Sequence, residues 1–484
     1  MKRYSIIVLI ILTAFSVQSQ FAEDALRMSQ IYYQGTARSM AIGGAIGSIG
    51  ADFSSASINP AGMGLYRRGA FSITPEVASM SVSSLYNGTP GDDNRTIFNL
   101  SNFGYVVAKP LSSRDGWKYF QFGFGMNRTN NFNSAVYMQG ENTVNSKLDL
   151  YAYNAYGVDY EALKGYDPYE LYPAWELFLL DTIPGTYDEY YTPVPFGGVL
   201  QQQSIITKGS TNEWLFSFSG NYNEKLFVGA TIGLPYTRYF RESTYSEIDI
   251  ADTIPYFNSW SVTENLSTSG WGINLKLGLI YKPTDWLRLG GAFHTPTYFY
   301  GLTDRWNTTT TSDLGWFQGT EPSGTDGVYD YRLSTPLRAI GSASVIIAQR
   351  AFVSFDYEYA DYSTAKFSAR DYGFNETNRD IKQYYQATHN FRGGIEYRYS
   401  NFSFRGGYAL YASPYANNLN DGQRTMITGG IGYRSKIFAL DFAYVHSTMK
   451  EDYYMYTNEY ITSNAVENEY KGQQFVFSIK YFLD

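Results

Sequence analysis

The sequence predicts an all-β protein: a single-chain transmembrane antiparallel β-barrel of about fourteen strands, with an N-terminal hatch (plug) inside it. Three observations predict this fold class. Aromatic residues make up 18% of the 484 residues and charged residues only 17%, whereas soluble domains carry ~25% charged residues. Several segments alternate apolar with polar or glycine residues, and their apolar rows end in aromatic side chains. The connections between these segments alternate between short and long.

The segment 271–281 shows the alternation clearly. One row runs from Trp271 through isoleucine and leucines to Tyr281, and the other holds Gly272, Asn274 and Lys276. A soluble sandwich would also have one apolar row, so a single strand fits both architectures. The aromatic ends favour the membrane barrel, because tyrosine and tryptophan concentrate at the two interfaces of a bilayer.

Fourteen segments of this kind follow one another along the chain. Connections after even-numbered strands are tight, and those after odd-numbered strands are mostly longer, with a long extracellular loop predicted over 130–211. Short turns on one side and long loops on the other are typical of outer-membrane barrels, and an even count places both chain ends on the periplasmic side. The approximate segments are 69–80, 97–109, 116–129, 212–222, 225–241, 262–282, 285–303, 328–348, 350–370, 385–399, 401–415, 424–434, 437–455 and 466–482.

The first nineteen residues predict a cleaved signal peptide. Lys2 and Arg3 precede an apolar stretch at 6–15, and small residues stand at Val17 and Ser19. The apolar stretch falls short of the ~20 residues that a membrane-spanning helix needs. The exported chain is acidic, which disfavours nucleic acid as a partner. We therefore expect the bacterial outer membrane as its location.

The composition also limits the chemistry. The chain has no cysteine and three histidines, which excludes thiolate sites and leaves little for a histidine metal centre. His446 and Ser447 are adjacent, so they point to opposite faces of a strand, and no nucleophile-elbow motif occurs. We expect no cofactor, no metal and no enzyme activity.

Residues 20–68 precede the first strand and predict the hatch, and residues 69–484 predict the barrel. The hatch has a helix-compatible stretch at 22–33 and a glycine-rich stretch whose spacing is not that of a dinucleotide-binding loop. Such a small-residue segment suits close packing inside a tube. Its characteristic residues are Gly43, Gly44, Asp52, Asn59, Pro60, Ala61 and Gly62.

The run Arg-Ser-Met-Ala-Ile-Gly-Gly-Ala at 38–45, Asp52, and Asn-Pro-Ala-Gly-Met at 59–63 resemble the start of mature FadL/TodX-type proteins. These are outer-membrane transporters of long-chain fatty acids and aromatic hydrocarbons. The resemblance implies a hatch inside a fourteen-stranded barrel and passive uptake of hydrophobic small molecules. It further implies an outer binding groove, a pocket near the hatch, and sideways release into the membrane at a kinked wall strand.

The long loops of that family follow the third and fourth hairpins, whereas the longest loop here follows the third strand. The groove is therefore predicted from this sequence alone. Proline at the first turn predicts a short helix over 172–180, and Trp175, Phe178 and Leu179 share one face of it. This face is either the wall of a ligand groove or the loop's own small core. The surrounding acidic residues either bind divalent cations shared with lipopolysaccharide or form a solvated face.

The lumen is predicted to carry many charges. They form either a mutually paired lining or a ligand clamp. These inward-facing residues are Arg288, Asp356, Glu358, Arg392, Glu396, Arg398, Arg405 and Asp441.

Two other functions fit the same fold. Some barrels of this type serve as docking or shuttle components of protein secretion, and haem uptake with tyrosine as the iron ligand is a third function. The expected partners are a hydrophobic small-molecule substrate, outer-membrane lipid and lipopolysaccharide. A protein partner is not evident in the sequence.

Overall fold

The computed structural model describes residues 18–111, 116–194, 196–370 and 372–483. Within these ranges, fourteen antiparallel strands form one closed barrel, as predicted. The signal peptide predicted over 1–19 lies almost entirely outside the described residues. The first seven strands are β1 (Ala70–Tyr86), β2 (Thr89–Pro110), β3 (Trp117–Asn131, continued by Ser134–Asn142), β4 (Val199–Tyr222), β5 (Leu226–Ile248), β6 (Ser259–Tyr281) and β7 (Leu287–His294, continued by Tyr298–Asp313).

The second half of the barrel closes the ring. β14 pairs with β1 from Phe482 opposite Ala70 to Glu467 opposite Leu85. The seven strands of this half are β8 (Gly327–Ser334, continued by Arg338–Ile347), β9 (Ala351–Asp361, continued by Lys366–Ser368), β10 (Ala387–Tyr399), β11 (Phe402–Tyr411), β12 (Arg424–Arg434), β13 (Phe438–Tyr454) and β14 (Ala465–Phe482).

The outward face of β6 marks the part of the wall that faces lipid. Its outward row begins at Trp271 and ends at Tyr281, with isoleucine and leucines between them, and each of these side chains is 39% to 47% exposed. Ten residues at ~3.3 Å each, tilted by ~40°, span about 25 Å, which is the height of the apolar band of an outer-membrane barrel.

Several strands continue well beyond this band on the side of the long loops. β3 continues through Ser134–Asn142 and pairs there with 199–207 of β4. The loop predicted over 130–211 is therefore wrong in its bounds, and the connection is 143–198. These extensions were missed because they lie outside the membrane and have polar residues such as Gln201 and Gln203 in place of an apolar row.

The N-terminal segment lies inside the barrel. It contains α1 (Gln18–Ser29), α2 (Ala37–Ala41), α3 (Ser55–Ile58) and a 3₁₀ turn at Pro60–Leu65. α1 packs against loop helix α7 (Asn375–Tyr384) in the extracellular half. The remaining hatch elements descend toward β1, which starts at the periplasmic end.

The loop 143–198 has a core of its own. It contains helices α4 (Lys147–Ala155), α5 (Leu163–Tyr166) and α6 (Leu171–Glu176) and a small hairpin of Asp181–Thr182 with Tyr190–Tyr191. Tyr151 and Trp260 are fully buried there. A further short strand, Gln318–Pro322, folds back on the end of β7. None of the helices in the described ranges is long and apolar enough to cross a membrane.

Candidate functional site

The barrel wall has a seam between β2 and β3. Their ladder runs from Pro110 opposite Tyr119 to Asn102 opposite Asn127. Among the described residues, no ladder pair joins these strands on the extracellular side of Asn102. There β2 stays paired with β1, and β3 stays paired with β4. We call this gap, between 95–101 of β2 and 128–133 of β3, the seam.

The seam starts at the outer part of the lipid-facing band. Phe98 of β2 lies beside it and is 76% exposed. Phe98 stands opposite Val77, which in turn stands opposite Phe475 of β14. Since these three neighbours form an apolar row on the outer surface, an opening here would face lipid.

A β-bulge separates β3 from β2. The register between β3 and β4 shifts from Arg128 opposite Asn212 to Asn130 opposite Thr211, which leaves Thr129 as an extra residue. Such a bulge bends its strand and interrupts the pairing. β2 has its own register shift at the same level, from Asn102 opposite Thr74 to Leu100 opposite Pro75, so both strands bend where their pairing ends.

The hatch occupies the inner side of the seam. The backbone N–H of Tyr32 donates to the carbonyl of Thr129 at 2.9 Å, and that of Gln34 donates to the carbonyl of Arg128 at 3.3 Å. The side-chain amide of Asn130 donates to the carbonyls of Arg27 and Gln30 at 3.3 and 3.2 Å. Because buried backbone groups need hydrogen-bond partners, the hatch supplies donors for the β3 carbonyls that no longer pair with β2.

A small cavity lies between the hatch and the seam, and we call it the seam pocket. Its volume is about 40 Å³, enough for a few water molecules and too small for an organic ligand. Much of its lining is apolar or sulfur-containing. The lining residues are Tyr32, Tyr33, Gln34, Met40, Ala78, Ser79, Met80, Ile97, Asn130, Asn131, Asn133, Arg424, Met426, Ser447, Gly472 and Gln474.

Arg424 is the cation in the lining of the seam pocket. Its guanidinium carbon lies 4.0 Å from the centre of the Tyr32 ring, a cation–π distance. It also contacts the sulfur of Met449 at 3.7 Å. No carboxylate in the described part of the chain lies within 4.0 Å of it. The pocket thus combines an apolar surface with one positive charge.

The predicted lumen residues form two ionic clusters that hold the hatch. In the first, Glu396 pairs with Arg38 of the hatch at 3.3 Å. The same carboxylate pairs with Arg398 at 2.6 Å and Arg405 at 2.7 Å. Arg405 also pairs with Asp441 at 2.6 Å. This cluster ties α2 to the periplasmic part of the wall.

Glu358 is the centre of the second cluster. It pairs with Arg338 at 2.6 Å and Arg392 at 3.1 Å, and all three side chains are buried. Arg338 donates to the carbonyl of Ser29 at 2.5 Å, and the guanidinium of Arg392 lies 4.7 Å from the ring centre of Tyr33. Both arginines therefore pair with the wall and contact the hatch.

The last two predicted lumen residues bind the hatch backbone. Asp356 accepts a hydrogen bond from the N–H of Gly47 at 3.0 Å. Arg288 donates to the carbonyl of Ile49 at 2.9 Å. Seven of the eight predicted lumen residues therefore contact the hatch or pair with a residue that does, and Asp441 is linked to it through Arg405 and Glu396.

Asp52 is a buried anchor of the hatch. Its carboxylate accepts from the Thr36 hydroxyl at 2.7 Å and the Ser54 N–H at 3.0 Å, and it pairs with Lys480 of β14 at 3.4 Å. Burial opposes ionisation, but Lys480, Arg38 and these hydrogen bonds outweigh it and lower the pKa of Asp52 to about 2. Asp52 therefore stays ionised throughout the physiological range.

The Asn59-Pro60-Ala61-Gly62 turn fastens the periplasmic end of the hatch. The Asn59 side-chain amide donates to the carbonyls of Gly47 at 2.7 Å and Leu279 of β6 at 3.2 Å. Its oxygen accepts from the N–H of Ala61, with Pro60 at the first position of the 3₁₀ turn. A Cβ on Gly62 would lie 2.7 Å from the Ser55 hydroxyl oxygen, so only glycine fits there.

Gly43 and Gly44 allow a tight turn against the wall. Both have positive φ angles, of 65° and 75°, which favour glycine. The N–H of Gly43 donates to the Thr428 hydroxyl at 3.1 Å. A Cβ on Gly43 would lie 2.9 Å from the carbonyl oxygen of Tyr408.

The three predicted groove residues do not share one face. α6 ends at Glu176, so the helix predicted over 172–180 is too long, and Phe178 lies beyond it with a φ of 57°. Leu179 is fully buried in the loop core, and Trp175 stacks on Tyr160 at 5.1 Å. Phe178 is 44% exposed. The prediction of one shared face is wrong, because the chain turns before Phe178.

Phe178 instead belongs to an exposed aromatic cluster on the extracellular surface. Its ring centre lies 5.3 Å from that of Trp316 and 4.9 Å from that of Phe317, both in the loop after β7. Trp316 is 61% exposed. We call Phe178, Trp316 and Phe317 the outer patch.

The wall has a second interruption, in β7 and β8, and it is closed. Each strand is broken at a Thr-Pro sequence, at Pro296 and Pro336. The N–H of Thr297 donates to the Thr335 hydroxyl at 3.0 Å, and the N–H of Thr335 donates to the carbonyl of Thr297 at 3.0 Å. One threonine hydroxyl and one backbone hydrogen bond join the two strands here, so this break differs from the seam.

Sequence reasoning missed several residues of the lumen and the site. It overlooked Arg338 and the buried ion pair of Lys276 with Glu213. The position of Lys276 in the non-lipid row was a usable signal for an inward charge. Arg424 and the bulge at Thr129 carried no such signal, because the pocket forms from distant parts of the chain.

Comparison with known proteins agrees with this architecture. Neither the protein-family models nor the curated proteins give a match. Among solved structures, a Pseudomonas aeruginosa FadL homologue aligns with a TM-score of 0.59 at 16% identity, covering 93% of this chain and 98% of that chain. The chain has the FadL-type barrel fold.

Two further solved structures share this FadL-type fold. The Ralstonia pickettii toluene transporter TbuX aligns with a TM-score of 0.52 at 17% identity, covering 95% of this chain and 100% of that chain. The monoaromatic hydrocarbon channel CymD aligns with a TM-score of 0.51 at 16% identity, covering 94% of this chain and 98% of that chain. The predicted resemblance is thus confirmed at the level of the fold, and these structural neighbours are channels rather than enzymes.

Proposed function

We propose that the protein is an outer-membrane channel for the passive uptake of hydrophobic small molecules. The hatch gates the channel, and the cargo leaves sideways at the seam. One observation carries the proposal: the hatch forms the inner side of the gap between β2 and β3. Movement of the hatch would therefore open the pocket and the wall together. FadL-type neighbours that carry hydrocarbons support the choice of cargo.

The lumen favours a lateral exit. Below the seam pocket, apolar cargo would have to pass the ionic clusters around Glu358 and Glu396. Moving an apolar molecule through a charged, hydrated passage loses the favourable transfer from water to an apolar environment. The seam offers a path into lipid, next to the exposed ring of Phe98.

The size of the seam pocket supports gating. At about 40 Å³ the pocket is too small for an organic ligand, since binding sites for such ligands measure ~300 Å³ or more, so cargo could enter only if the pocket enlarged. The hatch segment 32–40 supplies four of the lining residues. Its displacement is the simplest way to enlarge the pocket.

The positive charge of Arg424 indicates which class of molecule the seam pocket would bind. A lone cation beside methionines and Ile97 suits a molecule with an apolar chain and one acidic head group. A long-chain fatty acid has this chemistry, and an aromatic hydrocarbon lacks it. We therefore favour fatty-acid-like amphiphiles over bare hydrocarbons.

The outer patch is the proposed first contact for cargo. Phe178 and Trp316 offer exposed aromatic surface on the side of the long loops, and half-buried Phe317 packs against both rings. Of the three groove residues predicted from sequence, only Phe178 is retained in this role. Cleavage of the signal peptide near Ser19 and insertion in the outer membrane belong to the same proposal.

A disulfide lock tests whether the hatch must move. A Cβ added to Gly47 would lie 3.0 Å from the Cβ of Ser342 in β8, so a separation of about half an ångström more would reach the ~3.5–4.5 Å of a disulfide. The native chain has no cysteine, so the double variant Gly47→Cys with Ser342→Cys can form only this intramolecular bond. We expect uptake of a labelled fatty acid into proteoliposomes to stop on oxidation and to return with reductant.

The two single-cysteine variants are the matched controls and should keep uptake under oxidising conditions. Uptake by the oxidised, fully cross-linked double variant at the uncross-linked rate would contradict the proposal. An empty barrel that binds another protein stoichiometrically would favour a docking role instead.

A further inference from the structure

The electrostatic charge of the molecule is unevenly distributed between its two ends. The loop 143–198 carries nine acidic and two basic residues. The periplasmic turns and the entry to β1 carry ten basic and two acidic side chains among the described residues. A chain with a net charge of −8 therefore has a strongly positive periplasmic rim.

The positive charges are spread around the whole rim. Each of the six periplasmic turns contains or adjoins a lysine or arginine: Lys109, Lys225, Lys282, Arg350, Arg398 and Lys436. Three of the rim cations are paired, because Arg398 contacts the lumen residue Glu396 at 2.6 Å and the two rim acids each take one partner. Glu224 pairs with Arg67 at 3.3 Å and Asp285 with Lys282 at 2.7 Å.

Aromatic neighbours fix the depth of this ring. Lys109 stands opposite Phe120 and Lys282 follows Tyr281, and these two rings are 46% and 47% exposed on the outer face. Tyrosine and phenylalanine at the strand ends belong to the interfacial aromatic belt. The cations therefore lie at the level of the lipid head groups.

We infer that the rim is a binding surface for anionic phospholipids of the leaflet that faces the periplasm. A protein partner would need charges gathered on one patch, whereas this ring follows the barrel's circumference, as surrounding lipids do. Basic side chains next to a membrane attract anionic lipids over a Debye length. The head-group phosphate and its net negative charge are the recognised chemistry.

The test compares two sets of four exposed lysines and arginines. The rim variant carries Lys109→Gln, Lys225→Gln, Arg350→Gln and Lys436→Gln. The control variant carries the same number of changes at exposed lysines of the opposite end, Lys208→Gln, Lys366→Gln, Lys382→Gln and Lys450→Gln. Each protein is reconstituted in nanodiscs with equal phosphatidylglycerol and phosphatidylethanolamine of matched acyl chains, and native mass spectrometry counts the retained lipids.

We expect the unchanged protein and the control variant to retain phosphatidylglycerol over phosphatidylethanolamine roughly fivefold, and the rim variant to lose this preference. Heat-modifiable gel mobility verifies that each variant has a folded barrel. Equal retention of the two lipids by the unchanged protein would overturn the inference. So would a preference that survives in the rim variant, or an acidic protein that binds the rim stoichiometrically in its place.

Discussion

The backbone N–H of Tyr32 donates to the carbonyl of Thr129 at 2.9 Å, so the hatch and the bulged wall strand share a hydrogen bond. Thr129 is also the extra residue of β3 at the level where the pairing between β2 and β3 ends. The bulge of β3 beside the opening in the wall is therefore also a point where the wall binds the hatch. A change in the hatch at Tyr32 or in the wall at Thr129 should therefore alter both the seam and the position of the hatch.

Deletion of Thr129 tests the bulge. Without it, Asn130 would follow Arg128 directly and the register with β4 would continue unbroken. We expect β3 to straighten, the seam to close, and fatty-acid uptake to fall to background while the barrel remains folded. Thr129→Ala keeps the extra residue and should transport normally. Normal uptake by the deletion variant would mean that the seam is not the exit.

Arg424→Gln tests recognition of the acidic head group. The change removes the charge from the seam pocket and keeps most of the side-chain volume. A charge-assisted hydrogen bond contributes roughly 1.5–3 kcal/mol, so we expect fatty-acid affinity to fall by about tenfold or more. Toluene binding should not change. Lys450→Gln, an exposed change on the neighbouring strand β13, is the control, and calorimetry provides the measurement.

Alanine substitutions separate the outer patch from the loop core. Phe178→Ala and Trp316→Ala should slow uptake at low substrate concentration and leave the melting temperature nearly unchanged, because both side chains are largely exposed. Leu179→Ala should instead loosen the loop by about 2–5 kcal/mol, as for other buried leucines. Proteolysis of 143–198 measures the second effect. Uptake that does not respond to the patch variants would remove this surface from the pathway.

Asp52→Asn tests the hatch anchor. The variant leaves Lys480 buried beside a neutral group, and breaking a buried ion pair in this way costs about 3–5 kcal/mol. We expect the hatch to loosen and the conductance in planar bilayers to rise. Asp92→Asn, at an exposed site, should leave conductance low.

The pH dependence of the anchor follows from the lowered pKa of Asp52. Its contribution to stability is fully present above the ordinary aspartate pKa and is lost as pH falls through about 2. The conductance of the unchanged protein should therefore stay low between pH 7 and pH 4. A conductance rise already at pH 5 would show that another group controls the hatch.

The sequence was sufficient to predict the barrel fold and insufficient to predict the arrangement of the candidate site. Strand alternation and turn length are local patterns, so segments such as 271–281 could be placed on a lipid-facing wall without knowing their neighbours. The same alternation placed Glu358 and Glu396 inside. It could not identify Arg38 as the partner of Glu396, because that contact joins residues 358 positions apart. It also missed Arg338, which lies only 20 positions from Glu358 on the neighbouring strand β8.

The seam and the outer patch depend on tertiary structure. The bulge at Thr129 is defined only by pairing with β4 and the hatch. Phe178 left its expected helix face because the helix ends at Glu176 and Leu179 packs into the loop core. Neither the bulge nor the end of this helix can be predicted from the spacing of residues along the sequence.

The position of α1 constrains how the barrel is made. α1 contacts the loops of β7 to β10 in the extracellular half, although the wall begins with β1 at the opposite end. The strands must therefore close around a segment that was synthesised before any of them. Because these contacts join residues hundreds of positions apart, assembly is expected to be slow. The pairing of β14 with β1 encloses a segment that precedes β1 in the chain.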